Sequence, residues 1–260
     1  MASILSDLWI DTDGGTVYAR AAAHPPRDAR PIVILVHGMV ISSRYMVPTA
    51  ERLAPICNVY AVDLPGYGKS YKPAKTLSLS ELADALAEWM DAARISRADL
   101  VGNSFGCQII AEFAVRHPER IDRLVLQGPT VDPDARTLPR ELYRIFRNSL
   151  REPRGLGLIT LRDYRAAGLR RAWRTLRIVL NDRIEDKLPR VEAPTLVVRG
   201  TRDPLVPSSW AHRIVRLLPR GALQEIPGAP HTINFSWPDE FVRVIAPFLG
   251  LASSAADARA

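Results

Sequence analysis

Gly102-Asn103-Ser104-Phe105-Gly106 links an apolar run, Leu100-Val101, to a stretch with helical apolar spacing. A serine between glycines, where strand gives way to helix, sits on a turn sharp enough to push its backbone toward strained φ/ψ. Only small neighbours leave room for that turn. The turn lifts Ser104 Oγ out of the sheet edge and sets helix N–H groups beneath it, where a developing anion would be held. An alkyl hydroxyl is a poor nucleophile unless a base takes its proton, and the base needs a third group to hold its tautomer. Asp203, in Gly200-Thr201-Arg202-Asp203-Pro204, and His231, in Gly228-Ala229-Pro230-His231-Thr232, each follow an apolar run of strand type. Taken singly, the serine is an incidental βα-turn residue, the aspartate a turn residue and the histidine a solvated loop residue. All three on loops at one sheet edge, in the order Ser, Asp, His, argue for acyl transfer.

Other groups fit that chemistry less well. His24 falls in a proline-rich loop, His117 at a helix end and His212 inside a helical pattern. His37 precedes Gly38 in a turn and is expected to brace the loop, and Asp63 opens Leu64-Pro65-Gly66-Tyr67-Gly68, which reads as loop architecture. No His, Cys, Asp or Glu cluster has metal-ligand spacing, and no glycine-rich phosphate fingerprint occurs. A tetrahedral oxyanion needs two donors. The backbone N–H of Phe105, next to the serine, and that of Met39, in the loop after His37-Gly38, are the expected pair.

The elements that must position these residues alternate. Leu5–Asp11 and Thr16–Arg20 around Asp13-Gly14-Gly15 read as a hairpin, and Pro31–Val36 as a strand buried on both faces. A helix is expected over Ser43–Leu53 and a strand over Asn58–Asp63. Ser78 and Glu81 form a capping box opening an amphipathic helix through Leu82, Leu86, Trp89 and Met90. Strands at Ala98–Val101, Arg123–Gln127, Ala193–Gly200 and Ala222–Ile226, with a closing helix at Pro238–Leu249, complete a mostly parallel α/β sheet with right-handed crossovers. Between Gly128 and Glu192 the alternation stops. Leu138, Leu142, Ile145 and Phe146 are spaced for one helix, Trp173, Leu176, Val179 and Leu180 for another, as in an insertion lying over the sheet. Residues 252–260 read as a frayed tail.

At 260 residues with 47% hydrophobic content, the chain can bury a core without staples. Cys57 and Cys107 lie within or beside apolar runs and read as buried thiols. The start of the chain lacks the pattern of a secretory leader, and no apolar run is long enough to span a membrane, so a cytoplasmic location is expected. The net charge of +7 comes from an arginine-rich composition: only Lys69, Lys72, Lys75 and Lys187 are lysines. That skew is a weak argument for a nucleic-acid partner, and none is expected.

Together, Gly-Asn-Ser-Phe-Gly, His-Gly-Met-Val, Asp-Leu-Pro-Gly-Tyr-Gly-Lys-Ser, Gly-Thr-Arg-Asp and Pro-His-Thr-Ile-Asn resemble the α/β-hydrolase superfamily over roughly Leu5 to Leu249. The resemblance implies an eight-stranded sheet with helices on both faces, formed by residues 1–128 and 193–251, and a helical cap over 129–192. It also implies a cofactor-free serine hydrolase with nucleophile Ser104, acid Asp203, base His231 and oxyanion donors Met39 and Phe105. Two departures stand out. Cys107 replaces a frequent second glycine, altering helix–strand packing, and Val40 replaces another, which is expected to crowd the acyl pocket.

Residues 129–192 carry 15 basic and 9 acidic side chains, most of the chain's excess charge. Arg140, Arg144, Arg147 and Arg151 form one helical stripe, and Arg170, Arg174 and Arg177 another. These read either as a solvated face or as a platform for an anionic acyl carrier, the phosphates of coenzyme A or an acidic carrier protein. Phe146, Leu150, Leu156, Leu158, Tyr164 and Trp173 are candidates to line an acyl pocket or to pack the cap on the core. The expected activity is hydrolysis of a small or medium, fairly apolar carboxylic ester. Acyl thioesters, carbon–carbon cleavage of a vinylogous diketone, and a non-catalytic ligand receptor are the alternatives.

Overall fold

The computed structural model describes residues 4–22, 24 and 29–251. The tail expected at 252–260 lies outside them. Strands β1 (Ser6–Thr12) and β2 (Gly15–Ala21) form the expected hairpin, with Thr12 opposite Gly15 and Ser6 opposite Ala21. β2 then pairs antiparallel with β4 (Asn58–Val62). The remaining partners run parallel: β3 (Ile32–Val36), β5 (Ala98–Asn103), β6 (Ile121–Gln127), β7 (Thr195–Gly200) and β8 (Gly221–Ile226). The sheet order is β1-β2-β4-β3-β5-β6-β7-β8.

A strand buried on both faces reads as a continuous apolar run, because alternate side chains enter opposite layers. β3 does this: Ile34 and Val36 join one hydrophobic cluster, Val33 and Leu35 the other. On the first face lie α2 (Leu79–Ala92) and α3 (Phe105–Arg116), which bury Leu86, Trp89 and Phe113. On the second lie α1 (Val47–Leu53) and the closing helix, which bury Leu53, Phe241 and Ile245. The Ser78–Glu81 capping box is formed in both directions. The helix expected over Ser43–Leu53 begins as a 3₁₀ turn, Ser43–Met46, and becomes α-helical at Val47.

Between β6 and β7 the chain forms α4 (Leu138–Ser149), α5 (Arg154–Ala167), α6 (Leu169–Asn181) and the short α7 (Ile184–Lys187). α4 and α6 are the two helices legible from spacing; α5 is an addition to that reading. α8 (Ser208–Leu217) packs against β7 and β8, and α9 (Ile233–Ser236) and α10 (Pro238–Phe248) end the fold. Strand order reverses between β3 and β5. Open α/β sheets bind ligands beyond the strand C-termini at such a reversal, and Ser104 directly follows β5.

Candidate active site

Ser104 adopts φ 53° and ψ −116°, a conformation L-residues rarely take, and α3 starts at the next residue. Two glycines make the turn possible. A Cβ on Gly106 would lie 2.4 Å from the Val36 carbonyl oxygen, and one on Gly102 would lie 2.7 Å from the Gly106 carbonyl carbon. The Ser104 N–H donates to the Gln127 carbonyl at 2.9 Å, tying the turn to the end of β6. Phe105 holds the first position of α3, where backbone N–H groups have no intrahelical acceptor. Cys107, expected to alter packing here, is wholly buried, its thiol 3.2 Å from the Gly102 carbonyl oxygen and 3.3 Å from that of Gln127. Burial pushes that thiol well above its ordinary pKa.

Asp203 and His231 meet. His231 Nδ1 lies 2.7 Å from Asp203 Oδ2, with both residues buried. The other carboxylate oxygen of Asp203 accepts the N–H groups of Leu205 (2.8 Å) and Val206 (3.2 Å), which fixes its plane. Gly128 leaves room for the pair: a Cβ there would lie 2.7 Å from His231 Cε1. His231 Nε2 is buried and has no hydrogen-bond partner among the described residues. His231 and Ser104 line the same cavity, about 190 Å³, together with Gly38, Met39 and Ile41. Burial opposes the imidazolium. The charge and hydrogen bond of Asp203 outweigh that opposition, Glu152 and Glu141 add to them, and the His231 pKa rises above the ordinary 6.5.

The remaining candidates fall as read. His37 is fully buried: its Nε2 accepts the Leu64 N–H, and Nδ1 lies 2.8 Å from the Gly38 carbonyl, so it braces the loop that carries Met39. Asp63 accepts the N–H groups of Ser43 and Lys69 and organises the next loop. Val40, expected to crowd the acyl pocket, is packed in the hydrophobic core instead, while its neighbours Met39 and Ile41 line the cavity. Of the six apolar residues offered for the pocket wall, Leu156 and Tyr164 are there; Phe146, Leu150, Leu158 and Trp173 are exposed.

Several functional groups escaped the sequence reading. Gln127 donates from Nε2 to the His231 carbonyl at 2.7 Å and accepts the Asn103 side-chain amide at 2.6 Å. A glutamine ending an otherwise apolar strand was the available signal. Thr130 Oγ1 is 3.4 Å from Ser104 Oγ. From the cap segment, Asn148 and Glu152 reach the cavity beside the expected Tyr164. Asn148 donates to Glu152 Oε1 at 2.5 Å, and its own Oδ1 is buried without a partner among the described residues. Burial pushes the Glu141 carboxyl up to about 7 and raises Glu152 as well. The cavity therefore has a polar wall on the cap side, where apolar residues alone were offered as lining.

A hydroxyl on a strained strand-to-helix turn, sharing a cavity with an imidazole braced by a carboxylate, is equipped for nucleophilic attack and proton transfer. An eight-stranded α/β sheet carrying that arrangement at its topological switch point defines a hydrolase scaffold. The chain belongs to the alpha/beta hydrolase family, whose sequence model matches residues 33–244. It is 28% identical over 218 residues to 2-hydroxy-6-oxononadienedioate/2-hydroxy-6-oxononatrienedioate hydrolase of Burkholderia vietnamiensis, covering 74% of this chain and 76% of that one. With abhydrolase domain-containing protein abhd-5.2 of Caenorhabditis elegans it shares 27% identity over 134 residues, half of this chain but 30% of that longer protein. The structure of a membrane phospholipase A described as a bacterial virulence factor superposes with a TM-score of 0.80 at 25% identity, covering 95% of this chain and 86% of that one. No helix among the described residues is long and apolar enough to cross a membrane.

Proposed function

We infer that the protein cleaves a carboxylic ester through an acyl-enzyme. The observation that carries this reading is Ser104 at φ 53° lining one cavity with His231, whose Nδ1 is held by Asp203 at 2.7 Å. In this reading Ser104 Oγ attacks the ester carbonyl as its proton passes to His231 Nε2. Asp203 keeps the imidazole in the tautomer that leaves Nε2 free to accept, and stabilises the imidazolium that forms. The N–H groups of Phe105 and Met39 receive the oxyanion. Collapse of the tetrahedral intermediate expels the alcohol, which takes the proton from His231. Water, deprotonated by the same imidazole, then releases the acid and restores the serine. The cap over 129–192 closes the cavity from above.

The charge of the cavity narrows the substrate class. Among the described residues no Lys or Arg lines the cavity beside Ser104, and Glu152 does. A neutral ester fits that wall better than a dicarboxylate of the kind named for the Burkholderia relative, which ranks carbon–carbon hydrolysis second. A groove of about 840 Å³ shares Ser149, Glu152, Thr160 and Tyr164 with the cavity, giving space for the longer part of an ester or thioester. The test is a panel of p-nitrophenyl esters of rising chain length, an acyl-CoA and a vinylogous diketone, with wild type and Ser104→Ala. The ester is expected to turn over fastest, and Ser104→Ala to lower kcat by about 10⁶. A variant rate close to wild type would rule out the covalent route, and turnover of the diketone alone would replace the ester by the carbon–carbon reading.

A further inference from the structure

Helix α4 is built inside out. Glu141 and Asn148, seven residues apart on one face, are buried, while Leu142, Tyr143 and Phe146, followed by Leu150, are exposed. A surface helix ordinarily does the reverse, because apolar area left in water costs free energy. The inner polar stripe is explained by the cavity that Asn148 lines. Nothing among the described residues covers the outer apolar one.

α5 and α6 extend the same surface. Leu158 and Leu161 on α5, and Leu169 and Trp173 on α6, are at least half exposed. Of the ten large apolar side chains that the described residues leave exposed, eight belong to α4–α6 and Leu150 beside them, so the exposure is regional and not the usual scatter. The charge on this surface has one sign. Arg147, Arg162, Arg165, Arg170, Arg174 and Arg177 are exposed and make no ion pair among the described residues. The three acids of residues 138–181 are turned away from it: Glu141 and Asp163 are buried, and Glu152 lines the cavity. Arg144 and Arg151, read in sequence as part of the basic stripe, are already engaged, with Asp132 and with the Arg202 carbonyl.

We propose that this outer cap face docks on an anionic phospholipid bilayer. Large apolar and aromatic side chains interleaved with arginines match the boundary between headgroup and acyl chain, where both are satisfied at once. A phosphate-bearing acyl carrier would take the arginines and leave the leucines and Trp173 in water. A second copy of the chain meeting this face about a two-fold axis would set arginine against arginine, with no acid on the face to pair them. Leu161, Arg165 and Leu169, residues of the same surface, also line the 840 Å³ groove, which therefore opens on it. Docking therefore sets the entrance of the groove against the lipid.

The test uses the full chain and vesicle co-sedimentation, with readouts separate from hydrolysis, so it stands or falls apart from the ester reading. Wild type is expected on phosphatidylcholine vesicles containing phosphatidylglycerol, less on phosphatidylcholine alone, and less as salt rises. Phe146→Ser with Leu150→Ser should lower partitioning by roughly tenfold or more, the scale set by the apolar area removed, with melting temperature and turnover of a small soluble ester unchanged. Should that pair fail to fold, Arg170→Ala with Arg174→Ala gives a second readout: loss of the preference for anionic vesicles. Equal binding to both vesicle types, or none, overturns the proposal. So does a dimer in sedimentation equilibrium that Phe146→Ser with Leu150→Ser dissolves, or saturable binding of an acidic acyl carrier protein without vesicle binding.

Discussion

Helices α2 and α4 are of similar length and amphipathic, yet they face opposite ways. α2 turns Leu82, Leu86, Trp89 and Met90 into the core and is held at its start by the Ser78–Glu81 capping box. α4 turns Glu141 and Asn148 inward with Ile145 and leaves Leu142, Tyr143 and Phe146 in water. The first arrangement is what hydrophobic burial selects when stability alone decides. The second costs stability, through an unpaired buried carboxyl oxygen and exposed apolar area. The sheet and its helices fix Ser104, Asp203 and His231, while helices α4–α6 supply polar groups to the cavity and an exposed apolar, basic outer surface.

That contrast can be broken or sharpened by substitution. The largest effect is expected where the core grips the chemistry. Asp203→Asn should lower kcat on a p-nitrophenyl ester by about 10⁴ with little change in KM, because the imidazole loses its tautomer and its counter-charge; a drop under tenfold would show that Asp203 does not orient His231. Next comes the turn: Gly106→Ala places a methyl 2.4 Å from the Val36 carbonyl oxygen and should cost roughly 3–5 kcal/mol in urea denaturation. The matched pair Leu86→Ala and Leu150→Ala tests the two helical regions directly. The former removes a fully buried side chain and should cost about 3 kcal/mol. The latter should stay within about 0.5 kcal/mol, since Leu150 is 70% exposed.

The remaining effect depends on pH. Glu141 has a folded-state pKa of about 7 against an ordinary 4.5, so the native state holds its proton more tightly than the unfolded chain does. Stability is therefore lost as pH rises from 4.5 to 7, and Glu141→Gln should restore on the order of 2 kcal/mol at pH 8 and almost none at pH 4. The same variant removes one of the charges that raise His231. The acid limb of kcat/KM, which falls as His231 is protonated, should then shift to lower pH. An unshifted limb would mean that Glu141 and His231 are not electrically coupled.

The core was legible because its signals are local. A buried strand is spelled out in a continuous apolar, mostly β-branched run such as Ile32–Val36, and a serine turn in two glycines that tolerate no Cβ. The eight strands, the Ser78 cap and the bracing role of His37 all follow from patterns a few residues long. The cap was not legible in that way. α5 carries Gly155 and Gly157 near its start, both poor helix formers, and its apolar residues 156, 158, 159 and 161 do not fall on one stripe. Glu141 and Glu152 lie on a basic segment with no local signal of burial, because burial of an acid depends on what lies across the cavity. For the same reason Phe146, Leu150, Leu158 and Trp173 read as candidate pocket wall, and only three-dimensional placement shows them outside.

Gln127 gives the site a property beyond its static geometry. One side-chain amide links the strand end bearing the serine, through Asn103, to the main chain of the histidine. The loop after β8 and the end of β5 are thereby tied, so a displacement of one pulls on the other and keeps Ser104 and His231 in register. A crosspiece of this kind protects relative position even where absolute position fluctuates, and relative position is what a proton hop requires.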